Sequence, residues 1–189
     1  MRNTLLALLA LALASVARSQ AVDLKTVLGP NRSFHDSEFG VKLTYPAGWE
    51  IATGGRWGKN NGENTFRFQP IWPSPAVPSL YYQRFSPDHP RPTDFEAYYR
   101  DAAERKAASR VGLKEYRNLP ETFSFRPIAG RPGCSYTASY VSGTRKMAEY
   151  FVRISGQTVQ VMFFTQGPAE DIDTLRAEID RMAETVQVP

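Results

Sequence analysis

A chain of 189 residues has the length of one domain, with or without a tail. Its 42% hydrophobic and 22% charged residues exclude collagen, coiled coil and wholesale disorder. One cysteine excludes an intramolecular disulfide framework, two histidines leave little material for a histidine-rich metal site, and a formal net charge of +4 is modest.

The chain opens with Arg2 and an unbroken run of Leu and Ala from Leu5 to Ala14. Small residues follow in Ser15-Val16-Ala17 and Ser19-Gln20-Ala21, at the spacing a signal peptidase reads. This predicts a secretory signal over residues 1–21, cleaved after Ala21 or alternatively after Ala17. The apolar run is far short of the roughly 20 residues that span a bilayer. No cysteine stands at either junction, so no lipid anchor is expected. Cleavage removes Arg2 and Arg18 from the 23 basic residues and nothing from the 19 acidic ones. The sequence pI of about 9.3 then says little. No basic block or basic helix face is present, so nucleic-acid binding is not expected. No second hydrophobic span follows. The expected product is a soluble periplasmic or secreted protein.

Residues 22–32 read as a leader, broken by Gly29-Pro30-Asn31, and the domain is expected over residues 33–187. Asn31-Arg32-Ser33 is a glycosylation sequon that matters only in a eukaryotic source. Phe34 leads into a turn at Ser37-Glu38-Phe39-Gly40, after which Val41, Leu43 and Tyr45 alternate with Lys42 and Thr44 as a half-buried strand. Pro46-Ala47-Gly48 stops it and Trp49 starts another. Residues 53–64, rich in Gly and Asn, read as a loop. Phe66 and Phe68 alternate with Arg67 and Gln69 as a strand, a proline-rich connection follows from Pro70 to Pro78, and Leu80 to Phe85 is a further strand.

A helix is expected over residues 93–111. Thr93 is placed as its cap, Glu96 closes a capping box, and Gly112 ends it. Phe95, Tyr98, Tyr99 and Ala102 form its apolar stripe. Glu96–Arg100 and Asp101–Arg105 are i,i+4 pairs. From residue 115 to 166 the period becomes two. Phe123 and Phe125, then Tyr136, Ala138 and Tyr140, then Ala148, Tyr150, Val152 and Ile154, then Val159, Val161 and Phe163 each mark a strand. Turns at 128–133, Ser142-Gly143 and Ser155-Gly156-Gln157 join them into an antiparallel meander. A last helix is expected over about 168–186. It carries the stripe Ile172, Leu175, Ile179, Met182 and Val186, which covers the sheet. The order strands, helix, strands, helix predicts an α+β fold.

The segment Phe39-Gly40-Val41-Lys42-Leu43-Thr44-Tyr45-Pro46-Ala47-Gly48-Trp49 resembles the opening of the PsbP-like family, the photosystem II extrinsic subunit P and its bacterial relatives. The likeness extends by topology over about residues 33–187. It implies an α/β/α sandwich around an antiparallel sheet, and a binding or assembly role more often than catalysis. No residue motif carries over the manganese-cluster or GTPase roles known in that family. Read physically, Pro46 ends a strand, Gly48 permits a tight turn and Trp49 packs on the sheet.

No zinc-protease spacing, Cys-x-x-Cys pair, phosphate loop, dinucleotide loop or nucleophile elbow is present. No cofactor is therefore expected. His35, Asp36 and Glu38 are donors of metal-ligand type, but alternation separates His35 from Asp36, and a solvated turn is the simpler reading. Asp88-His89-Pro90 faces the same objection. Cys134 is expected to be buried and inert. Trp57 and Trp72, read as loop aromatics, with Arg56 and Lys59 beside Trp57, have the make-up of partner anchors. The expected function is a non-catalytic, exported domain that binds a protein or envelope component. A small-ligand or metal-binding domain, or a hydrolase, is the alternative.

Overall fold

Side-chain alternation sorts the middle of the chain onto the two faces of one sheet. The computed structural model describes residues 31–57, 62–70 and 76–189. The expected signal, most of the leader, Lys59 and Trp72 lie outside those residues. A hairpin of β1 (Arg32–Asp36) and β2 (Val41–Tyr45) forms a small sheet of its own. Gly40, at φ +69°, lies in its turn, where a residue with a Cβ is strained.

The main sheet joins two antiparallel meanders. The first is β3 (Trp49–Trp57), β4 (Glu63–Pro70) and β5 (Ser79–Arg84). The second is β8 (Arg131–Ser142), β9 (Arg145–Ser155) and β10 (Val159–Pro168). They meet where β10 pairs with β5. The long β8 has two partners end to end: β7 (Ser124–Ile128) along its first half and β6 (Lys114–Asn118) along its second. Between β6 and β7 lies a 3₁₀ turn, Pro120–Thr122.

Helix α1 (Phe95–Ser109) packs on β6 and β8, and α2 (Ala169–Glu184) packs on β9, β10 and β2. They lie on opposite faces. Ile172, Ile179 and Met182 of α2 join Val152, Ile154, Val161, Phe163, Leu80 and Tyr82 in the larger core, which the β1–β2 hairpin closes with Phe34, Val41 and Leu43. Ala103 of α1 joins Tyr136, Ala138 and Phe151 in a second core. The α+β architecture, the meander and the helix on each face are as expected.

Several local readings change. Residues 53–64 are not a plain loop: Thr53 to Trp57 pair with Arg67 to Glu63, continuing the hairpin beyond a register shift after Ile51. Cross-strand pairing with β4 overrides the weak strand propensity of the glycines there. The α1 cap is Asp94, not Thr93, and its carboxylate accepts a hydrogen bond from the Ala97 backbone N–H at 2.9 Å. Glu96 instead pairs with Arg100 at 2.8 Å. The helix ends at Ser109, short of Gly112. The turn expected over 128–133 shrinks to Ala129-Gly130, both at positive φ, and Arg131 to Gly133 continue β8. The last helix runs from 169 to 184, and Val186 is buried just beyond it.

Candidate functional site

The face of the sheet beneath α1 holds the chain's most unusual chemistry. In-register pairs place Tyr136, Phe151 and Phe164 side by side across β8, β9 and β10. Their rings form a ladder with Phe123. Phe123 to Tyr136 is 4.7 Å between centroids, Tyr136 to Phe151 is 4.6 Å and Phe151 to Phe164 is 5.1 Å. Helix α1 lies over this ladder with cations beside its buried Ala103. Arg100 stands 5.2 Å from the Phe123 ring, and Lys106 stands 4.7 Å from Phe151 and 4.9 Å from Phe164. Cation–π contacts of this kind are worth about 0.5–2 kcal/mol each.

Glu149 locks the helix down. It is 1% exposed, accepts a hydrogen bond from the Tyr116 hydroxyl at 2.7 Å, and faces Lys106 and Arg110 at 3.5 Å each. Burial pushes the Lys106 ammonium below the ordinary lysine pKa, and Glu149 opposes that shift. Burial and the bond to Glu149 together raise Tyr116. This cluster ties α1, β6 and β9 together.

Toward β10, β5 and β4 the same face opens. Gln160, Met162 and Phe164 of β10, Tyr81 of β5 and Thr65 of β4 are partly exposed, and Arg67 is exposed. A polar seam runs along this boundary. The Tyr99 hydroxyl donates to Gln160 Oε1 at 2.8 Å, Gln160 Nε2 donates to Gln83 Oε1 at 2.9 Å, and the Tyr81 hydroxyl reaches the same oxygen at 3.3 Å. Desolvation raises the Tyr99 and Tyr81 phenols, with Glu63 adding to Tyr81. Both hydroxyls therefore remain protonated donors at neutral pH.

Of the residues singled out in the sequence, Arg56 and Trp57 stand at the end of strand β3, opposite Asn64 and Glu63. Glu63 is in turn opposite Gln83, and Gln83 opposite Gln160. The register therefore puts Trp57 at the end of the row that carries the polar seam. Lys59 and Trp72 lie outside the described residues.

The other candidates are structural. Asp36 Oδ1 accepts from the backbone N–H groups of Glu38 and Phe39, at 3.0 and 3.2 Å, and Oδ2 accepts from the Tyr82 hydroxyl at 2.5 Å. That carboxylate builds the hairpin turn. His35 is exposed. Ser86 and His89 close a tight turn through their backbones. Among the described residues, no group of three or more His, Cys, Asp or Glu could hold a metal ion, and no helix is long and apolar enough to cross a membrane. Cys134 is wholly buried, and burial pushes its thiol up to about 12, which leaves it unreactive at neutral pH.

The architecture is PsbP-like, an antiparallel sheet with a helix on each face. The chain is similar to the solution structure of cyanobacterial PsbP (CyanoP) from Synechocystis sp. PCC 6803. The TM-score is 0.56 at 16% identity, covering 84% of this chain and 92% of that one. It is also similar to LpqN, described as involved in cell envelope biogenesis of Mycobacterium tuberculosis, with TM-score 0.50, 14% identity and 85% and 87% of the two chains covered. A structure of a Mog1 mutant gives TM-score 0.50 at 9% identity, with 85% and 96% covered. At these identities the likeness is one of fold, and a fold hosts many functions. No protein-family model matches the chain, and no curated protein does.

Proposed function

We propose that the chain is an exported, non-catalytic binding domain whose partner is a protein or a component of the cell envelope. The supporting observation is the half-open sheet face. Well-packed sheets bury both faces or leave one uniformly polar. Here a face that is aromatic and ion-locked under α1 continues, past the helix, into partly exposed Met162, Phe164, Tyr81 and Gln160. A mixed aromatic and polar surface with neighbouring cations is the composition of protein-interface hot spots. The row that carries the polar seam ends, by register, at Trp57 of β3. The signal-like N-terminal pattern and the envelope role stated for LpqN favour an extracytoplasmic setting.

The test is the Trp57→Ala substitution, read in a pull-down from the envelope fraction alongside thermal unfolding. The expected result is weakened capture of the partner at an unchanged melting temperature. An equal loss of thermal stability, or undiminished capture, refutes the reading.

A further inference from the structure

Arg153 is a half-buried arginine on the α1 face whose charge no carboxylate of the described residues answers. It lies on β9, in register with Cys134 of β8 and Met162 of β10, and the row continues to Tyr81 and Thr65. Its guanidinium carbon sits 5.1 Å from the centre of the Tyr99 ring. Its Nε is buried and meets no carboxylate or carbonyl; beside it lies the buried, uncharged hydroxyl of Tyr136 on β8, close enough to interact with the guanidinium. Three more-exposed arginines are answered: Arg126 by Glu184, Arg145 by Glu170 and Arg181 by Glu178.

The pattern runs against the usual cost of charge burial. A surface arginine can remain unpaired because water solvates it. A guanidinium that has lost water along its Nε edge needs an acceptor, and leaving a charged donor unmet costs more than leaving a neutral one. The Tyr99 ring offers a quadrupole and the Tyr136 hydroxyl a neutral oxygen, and neither supplies a counter-charge. Buried polar groups without partners are rare in folded proteins, and each calls for an explanation. Arg153 stands where the α1 cover gives way to the open half of the face and is only half-buried, so a carboxylate can approach the residue from solvent. Tyr99 beside Arg153 and Tyr81 along its row offer aromatic surface there. Tyr98 and Tyr99 meet edge-on at 5.0 Å, and Tyr98 is close enough to Tyr81 to bear on its titration.

We infer that Arg153 is a carboxylate-recognition point, taking the anionic group of a bound molecule whose apolar part lies against the tyrosines. A planar carboxylate matches the fork of guanidinium donors, and such charge-assisted bonds are about twice as strong as neutral ones. The inference rests on the open half-face being the binding surface and adds the group that the surface reads. The carboxylate belongs either to a free organic acid or to an acidic side chain or chain terminus of a protein partner, and both present the same chemistry to Arg153.

The test uses benzoate as probe and neutral benzamide as its isostere, titrated into the isotopically labelled protein while the Arg153 Nε–Hε resonance is followed. Benzoate should move that resonance saturably, and benzamide should bind roughly tenfold more weakly or worse. Arg153→Gln and Arg153→Lys should each reduce benzoate affinity by a similar factor at unchanged melting temperature, the lysine variant because it lacks the planar fork. Absence of saturable binding, equal binding of benzoate and benzamide, or full affinity in both variants overturns the assignment. If the variants unfold, the benzoate–benzamide comparison on the unaltered protein decides alone. A glutamate-rich peptide and its amidated glutamine counterpart then distinguish a protein carboxylate from a free acid. Failure of benzoate removes only the role of Arg153, whereas the Trp57→Ala pull-down tests the surface itself.

Discussion

The Glu149 cluster gives the sharpest energetic test, because its parts differ in burial. Glu149 is 1% exposed, whereas Lys106 and Arg110 keep 24% and 38% of their side-chain surface in water. Glu149→Gln retains the shape and an acceptor for the Tyr116 hydroxyl but converts a charged hydrogen bond into a neutral one. That step costs on the order of 1 kcal/mol. Each ion pair at 3.5 Å adds at most about 1 kcal/mol after solvent screening, Arg110 the least. The relieved desolvation of a buried carboxylate offsets part of this loss. A net destabilisation of about 1–2 kcal/mol follows, which lowers the melting temperature by roughly 2–8 °C for a domain of this size. Glu149→Ala also strands the Tyr116 hydroxyl and opens a cavity, so it should cost about 3–4 kcal/mol.

The decisive variant is Lys106→Met. In the native background it removes a counter-charge from a buried carboxylate and should destabilise. In the Glu149→Gln background it replaces a desolvated ammonium without a counter-charge, held by its cation–π contacts with Phe151 and Phe164, and should cost markedly less. The double-mutant cycle, read by urea unfolding, should therefore show a coupling of about 1–2 kcal/mol. Additivity within about 0.5 kcal/mol would refute the claim that this cluster holds α1 on the sheet.

Two further expectations come from the backbone and from the buried phenols. Ala129 occupies φ +51° ahead of Gly130 at +72°, a two-residue hairpin turn whose first position suits asparagine. Ala129→Asn should raise stability by about 0.5–1 kcal/mol, seen as a higher urea midpoint at unchanged slope. Burial raises the thiol of Cys134 from 9.0 and the phenol of Tyr150 from 10.0, each to about 12. The folded state thus holds protons that the unfolded chain releases. Stability from these groups is complete below pH 9 and is lost as pH climbs toward 12. Cys134→Ser should abolish the earliest part of that alkaline decline in a melting-temperature series.

The strands and the second helix were legible because their periodicities are clean. Val159, Val161 and Phe163 alternate, and Ile172, Leu175, Ile179 and Met182 keep helical spacing. Both patterns reflect burial against one continuous surface. The first helix was legible in part: Tyr99 of its apolar stripe is buried, but Arg100, Lys106 and Arg110, which also contact the sheet side, read as a solvated face. Glu149 and Arg153 similarly look like the wet side of a strand. The available signal was Phe151 between them and Phe164 beside Phe163: bulky aromatics on the supposedly wet positions mean that both faces are covered. The strand at 53–57 was not legible because Gly54 and Gly55 carry no side-chain pattern, and only pairing with β4 defines it. The candidate site was legible only in part: Arg56 and Trp57 could be picked by residue type, but the seam beside them joins residues far apart in sequence.

The binding claim is tested most directly by photo-crosslinking in cells that express the protein natively. A benzophenone amino acid replaces Arg67, exposed on the open half-face, or Asp173, exposed on α2 across the sheet. A discrete covalent adduct from position 67 and none from position 173 is the expected result. Adducts of equal yield from both positions, or none from 67, contradict it.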